Sequence, residues 1–382
     1  MQKNTELVNF KNAFTFGLVV CLGVTLCEVV RDKQFNFFIF KLSTLDFWNG
    51  VMPYGEQWFS HGYDYYLYSP IFNVLFTPFA YLPKPCGEFA WNLFNYLLLA
   101  YAVYKFPQIT PEQKARALLY LMLIIAPSQL SFQFNPAIAA FFLLAFSLLE
   151  QGKGMLAVLI IMVSALTKIY GVAELAILAF YPRFWRNIAY TAIFGAILAA
   201  LPLVKLSVSE YGSYVQGWFA ALAEHKASRT WQTIFDCSVI QWNGMRFEIM
   251  PYIQVGVFMV VALFVLIKRE LWQSFSFRAG ILASIMGWCV VFGNSTETHT
   301  YLIFLSGFAL WYYTQPKKSK LIEALYWAVF VVVVVMPIDL LCPPSVMHFV
   351  FDSLDLNKYL LLMLWGSILW RTMSAKECCL ER

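Results

Sequence analysis

Residues 135–182 read NPAIAAFFLLAFSLLEQGKGMLAVLIIMVSALTKIYGVAELAILAFYP. Three apolar runs, 135–150, 155–168 and 170–182, follow one another, divided only by a short glycine turn and by a lone lysine, Lys168. Apolar runs of about 20 residues, or somewhat fewer inside a bundle, span the hydrocarbon layer of a membrane. Read outward from this block, the pattern recurs at 13–30, 87–104, 115–128, 187–205, 251–267, 279–293, 299–314, 322–341 and 357–370, which makes twelve runs in all. The expected fold is an all-α polytopic membrane protein of about twelve transmembrane helices, one integral membrane domain over residues 1–382.

Composition agrees with that reading. Of 382 residues 60% are apolar and 13% charged, too little polar surface to cover a water-exposed globule of this size. A soluble enzyme, a nucleic-acid binder and a disulfide-stapled secreted module are therefore excluded. The 8 cysteines form no CxxC pair, and Cys21, Cys27 and Cys289 sit inside apolar runs, which argues against a zinc site or a disulfide framework. Several runs are short and bounded by Pro127, Pro136 or Pro182, so broken or tilted helices are expected, their freed backbone groups buried in protein or facing water. Segment 70–83, PIFNVLFTPFAYLP, is too short and proline-rich for a normal span and is read as a re-entrant or interfacial helix. The first run lacks a small-residue cleavage site and is read as a retained span.

Lysine and arginine placement sets the orientation, because cytoplasmic loops hold the excess. With the N-terminus inside, 17 of the 27 fall on the inner side, so both ends are expected in the cytoplasm and the protein in the cytoplasmic (inner) membrane. Two outer loops are then long, 31–69 and 207–250, both rich in aromatics. No internal repeat is visible, which weakens a transporter reading.

Polar side chains at a membrane are costly and mark function by default. Under this topology Asp46, Gln133, Asn135, Lys168, Glu297 and His299 all fall on the outer face. Lys168 is either a snorkelling anchor or a cation for a lipid phosphate. Asp46, in TLDFWNG, is either a helix cap or a general base for an acceptor hydroxyl. His299 reads equally as a satisfied interfacial histidine, and Gln133 and Asn135 as caps of the run that follows them. The aromatics of WFSHGYDYYLYSP suit an interfacial belt or the stacking of sugar rings.

At these residues the chain resembles glycosyltransferase family 87, the polyprenyl-phosphate-mannose-dependent α-mannosyltransferases of the GT-C superfamily. The likeness is carried by DFWNGVMPYGEQWFSHGYDYYLYSPIFNVLFTPFAYLP, by QFNPAIAAFFLLAFSLLEQGKGMLAVLIIMVSALTKIYGVAELAILAFYPRFWR and by STETHTYLIFLSGFALWY. The chain departs from the pattern where Phe132-Gln133 replaces the usual Gly-Gln, at Lys168-Ile169-Tyr170, and in a late block without proline. The resemblance implies a GT-C-type bundle that moves a hexose, with mannose the first choice, from a polyprenyl-phosphate donor to a glycolipid or glycan acceptor on the outer face, with inversion. It makes Asp46 the catalytic base and Lys168 and His299 the donor-phosphate contacts, with Tyr68, Gln133, Asn135, Glu297 and Tyr301 as substrate-binding candidates. The chemistry admits a divalent metal without demanding one, because the outer loops contain no compact carboxylate cluster such as DxD, and no metal ligand is assigned. The competing readings are a lipid or solute transporter and a non-catalytic partner in an envelope assembly.

Overall fold

The computed structural model describes residues 9–33, 35–228, 246–293, 296–337 and 342–374. Every regular element among them is helical, as the apolar patterning requires: a chain in lipid has to satisfy its backbone internally. The helices are α1 (Phe10–Arg31), α2 (Phe35–Asn49), α3 (Glu56–Phe59), α4 (Pro70–Ala80), α5 (Lys84–Lys105), α6 (Pro111–Leu130), α7 (Asn135–Glu150) and α8 (Gly154–Thr167). They continue with α9 (Phe184–Ala199), α10 (Val208–Ser228), α11 (Arg246–Ile267), α12 (Phe275–Val291), α13 (Tyr301–Thr314), α14 (Lys320–Val329), α15 (Pro344–His348) and α16 (Leu356–Met373).

Each of the twelve apolar runs falls at least in part on helix among the described residues, with 338–341 of the run 322–341 outside them, but not on twelve equivalent spans. Two helical stretches, Phe10–Arg31 and Phe184–Val204, are long and apolar enough by themselves to cross a membrane among the described residues. The run expected at 170–182 is a tight 3-10 helix, Ile169–Phe180, and the run expected at 322–341 changes from α14 to a π-helical stretch, Phe330–Val335. At about 2.0 Å per residue a 3-10 helix of this length advances as far as a longer α-helix, and hydropathy alone does not see that difference in winding.

Both long outer loops of the sequence reading contain helices. Residues 31–69 hold α2 and α3, and α2 buries Phe37, Ile39, Phe40, Ser43, Thr44 and Phe47. Residues 207–250 hold α10 and the start of α11, with 229–245 outside the described residues. Dense aromatics masked the helical period of α2: its apolar side chains go all round, because part of it packs into protein. The helix expected over 70–83 is α4, with Pro70 at its start and Pro78 inside it.

Local chemistry sets the ends. α6 opens on a reciprocal cap, in which the Gln113 backbone N–H donates to Thr110 Oγ1 at 3.2 Å and the Thr110 N–H donates to Gln113 Oε1 at 2.8 Å. α7 closes on Gly152 at φ +72°, with the Lys153 N–H donating to the Leu148 carbonyl and the Gly152 N–H to that of Leu149, the paired bonds of a left-handed helix stop. The same pair of bonds closes α6, from Gln133 to Ser128 and from Phe132 to Gln129, yet the left-handed residue there is Phe132, at φ +50°. Only surrounding structure holds a bulky side chain in that conformation. Phe132 is fully buried against Phe37, and its carbonyl accepts from Trp91 Nε1 at 2.9 Å.

The two ends of the bundle differ. At one, the turns between α6 and α7 and between α12 and α13, with the junction after α8, line a single cavity. At the other, Arg278 of α12 grips Glu150 with two bonds of 2.7 and 2.8 Å, and the Tyr181 hydroxyl donates to the same carboxylate.

Candidate active site

The cavity encloses about 1290 Å³. One wall is the 3-10 helix, through Ile169, Tyr170, Val172, Ala173 and Ala176, and another is α2, through Asn36, Ile39 and Phe40. Trp218 and His225 of α10 and Gln254 and Phe258 of α11 add to the lining, and the chain before α4 adds Asp64, Tyr65 and Tyr68. Most of this lining is apolar or aromatic, with a few polar groups, the usual composition of a small-molecule pocket.

Lys168 is where the two windings meet. It ends α8 in an extended conformation, φ −137° and ψ 128°, with its N–H still bonded to the Ser164 carbonyl at 2.9 Å. The 3-10 helix then folds back along α8 because residue 171 has no side chain: a Cβ at Gly171 would lie 2.3 Å from the Ala165 nitrogen and 2.4 Å from Ser164 Oγ. On the same face Ser164 donates a hydrogen bond to Glu174. These contacts hold the Lys168 ammonium in the cavity, where it donates to Asn135 Oδ1 at 2.7 Å and lies 5.7 Å from the Tyr68 ring and 5.4 Å from the Tyr170 ring. Burial pushes the Tyr68 phenol above its ordinary range, so that ring meets the lysine as a neutral face.

Asn135 is fully buried, and its amide nitrogen donates to the His299 carbonyl at 3.3 Å, which Ser128 Oγ also reaches at 3.0 Å. A hydrogen-bonded path therefore runs from Lys168 through Asn135 to the turn carrying Glu297 and His299. Within that turn Glu297 Oε2 and His299 Nε2 are 2.9 Å apart. Thr296 Oγ1 donates to the Val290 carbonyl at 2.7 Å and fixes the turn's departure from α12.

Of the residues singled out from sequence, Lys168, His299, Tyr68, Gln133 and Glu297 line the cavity. Asn135 stands behind the lining as the partner of Lys168. Tyr301 does not line it: two residues past His299 on a helix is over half a turn away, and its hydroxyl accepts instead from Asn357 of α16 at 3.2 Å. Asp46 is not a lining residue either. It sits in the last turns of α2, 2.9 Å from His61 Nε2, and the His61 ring packs near Trp58 at 5.2 Å. Seven residues separate it from Ile39, almost two whole helical turns, so it leaves α2 on nearly the same side as that cavity residue, farther along. Sequence reasoning passed over Trp218, His225 and Gln254, and took Tyr65 only with the other aromatics of WFSHGYDYYLYSP; Asp64 lies in that same stretch. The one signal for this part of α10 was the richness of the 207–250 loop in aromatics.

Among the described residues no group of three or more His, Cys, Asp or Glu is placed to hold a metal ion. No curated protein matches the chain. The family described as Glycosyltransferase family 87 matches residues 66–337, a span that contains Tyr68, Gln133, Asn135, Lys168, Glu297, His299 and Tyr301 and starts after Asp46 and Asp64. With well over half of its length matched, and the cavity built largely from that part, the chain belongs to glycosyltransferase family 87.

Proposed function

We propose that this glycosyltransferase moves a hexose, mannose by preference, from a polyprenyl-phosphate donor to a glycolipid or glycan acceptor, at the outer face of the cytoplasmic membrane. The observation that carries the proposal is the half-buried Lys168 ammonium, held by Asn135 at 2.7 Å inside a largely apolar cavity of about 1290 Å³. A cation is retained at such cost where it meets an anion, and an apolar surround suits a lipid-linked one.

The bond from the anomeric carbon to the phosphate oxygen breaks, and the acceptor hydroxyl oxygen forms the new bond from the opposite face. The hydroxyl proton passes to a carboxylate, and the electron pair leaves on the lipid phosphate. Lys168 and the His299 side chain stabilise that departing charge. A single displacement inverts the anomeric centre, so a β-linked donor yields an α-linked product. A phosphate leaves readily, so no general acid is called for.

Asp46 is the base in this proposal. Its partner His61 orients the carboxylate and offers a second site for the proton. A second reading has its own observation: Asp64 is on the cavity lining and Asp46 is not. Incubating the purified protein with radiolabelled polyprenyl-phosphate mannose and candidate glycolipids tests the whole. Label transferred to the acceptor supports the enzyme, and movement of unchanged lipid across a vesicle without transfer returns the chain to the transporter reading.

A further inference from the structure

We propose that the end of the bundle opposite the cavity holds a binding site for the negatively charged headgroup of a membrane phospholipid, built by Lys105 and Lys114. The site lies apart from the donor cavity and does not depend on how the donor is read.

A pocket of about 330 Å³ opens there, lined by Phe10 of α1, Tyr104 and Lys105 at the end of α5, and Pro111 and Lys114 at the start of α6. α6 fixes its place. The chain leaving this helix supplies Ser131 and Gln133 to the cavity, and the helix before it is 20 residues long, about 30 Å at the usual rise.

Both ammoniums gather at one ring. Lys105 Nζ lies 5.5 Å and Lys114 Nζ 5.6 Å from the centre of the Tyr104 ring, and Lys114 also donates to the Tyr104 carbonyl at 2.6 Å. Phe10 meets the same ring at 5.3 Å, so three helices hold the arrangement. Lys114 stands where the dipole of α6 is positive, the unfavourable end of a helix for a cation. Glu112, the acid nearest to it in sequence, is turned to Arg116 at 2.7 Å. Two like charges and a helix N-terminus thus converge on one pocket, and each of them gains from an anion.

The surroundings of the pocket choose the anion. Leu97, Tyr101 and Tyr104 are exposed and stand four and then three residues apart, on one face of α5 that ends at the pocket. An acyl chain can lie along that face while its headgroup reaches the lysines. Lys105 also lies 5.4 Å from the Tyr101 ring, and tyrosines beside a lysine suit the boundary between hydrocarbon and headgroups. A zwitterionic headgroup would bring a third ammonium to the two already present, whereas a headgroup whose only charge is its phosphodiester balances them. A free phosphate ion has the charge but makes no use of the apolar face.

Thermal unfolding of the full-length protein in detergent, with phosphatidylglycerol, phosphatidylcholine or inorganic phosphate added, tests the site. A ligand that binds only the folded state raises the unfolding temperature, and the midpoint of each titration reads its apparent affinity. Wild type should respond to phosphatidylglycerol at lower concentration than to phosphatidylcholine. Lys105→Gln and Lys114→Gln should each weaken the phosphatidylglycerol response about fivefold, and the two together should leave the lipids equivalent. Lys153→Gln with Lys268→Gln, which removes the same charge from two other turns, should keep the preference. Because Lys105 is exposed, its single variant keeps the test open if loss of the Lys114 bond unfolds the protein. An equal response of wild type to both lipids, an unchanged preference in the folded Lys105 variant, or an equal loss in the control pair overturns the site. A response to inorganic phosphate that matches the phosphatidylglycerol response overturns a lipid as its ligand.

Discussion

Lys168 and Asp46 are placed differently, and their replacements should fail differently. Lys168→Ala removes a charge-assisted contact worth roughly 1.5–3 kcal/mol, so the apparent KM for the polyprenyl-phosphate donor should rise about 10- to 150-fold. Steady-state kinetics against donor concentration read this directly, and unchanged saturation in a folded protein would leave the lysine a structural anchor. A base acts on the transition state more than on binding, so Asp46→Asn should lower kcat by about 10²–10⁴-fold with little change in donor KM. Asp64→Asn and Glu297→Gln serve as controls, and loss at Asp64 with near-normal turnover at Asp46 would move the base onto the cavity wall. Phe132 poses a separate question, because the likeness to the family calls for glycine at a position whose φ is +50°. Phe132→Gly should relieve about 1–2 kcal/mol of left-handed strain yet forfeit about 3–5 kcal/mol of buried ring. The net expectation is a loss of stability, seen as a lower midpoint in detergent thermal unfolding.

At the scale of elements, the 3-10 helix Ile169–Phe180 matters most, because it delivers both the lysine and a cavity wall. Its packing on α8 depends on space at residue 171, where an added Cβ would overlap backbone rather than a yielding side chain. Gly171→Ala should therefore displace the 3-10 helix, lower stability by about 1–3 kcal/mol and weaken donor binding without touching a charged group. Melting temperature and donor KM moving together would bear this out, and a wild-type KM would show that the wall tolerates the shift. The far end of the bundle is held by the Arg278–Glu150 pair, whose side chains are 13% and 9% exposed. Arg278→Met alone leaves a buried carboxylate without its cation and should cost about 3–5 kcal/mol. The pair Arg278→Met with Glu150→Leu should recover much of that, since replacing both partners of a buried ion pair is often close to neutral.

For the whole molecule, the lysine and arginine count and the cavity address one question from opposite sides. The residues assigned outward by charge counting, Gln133, Lys168, Glu297 and His299, do meet at one end of the bundle, and Glu150, Arg278 and Tyr181 meet at the other. Which end faces the cytoplasm is tested by labelling single cysteines in a cysteine-free background, with the exposed Cys86 kept in one protein and Lys153→Cys in the other. Cys86, at the start of α5 near the cavity end, should react with an impermeant reagent from outside intact cells, and position 153 only after permeabilisation. The reverse pattern would invert the proposed orientation.

From the sequence alone came the helical class, the exclusion of soluble chemistry and the gathering of one lysine, one histidine, one glutamate and two amides at neighbouring turns. These are legible because each depends on counting: apolar run lengths report the cost of exposing polar backbone to lipid, and a charge in such a run stands out against that cost. Tertiary structure alone decided that residues 31–69 carry a buried helix, that Ile169–Phe180 winds as 3-10 around a bare Gly171, that Tyr301 turns to Asn357, and that Asp64 rather than Asp46 meets the cavity. Those outcomes turn on which way a side chain leaves its helix and on what lies within a few ångströms of it. Residue order does not carry that information, because the partners that settle it, such as Asn135 for Lys168 or Ser164 for Glu174, meet only when separate helices pack.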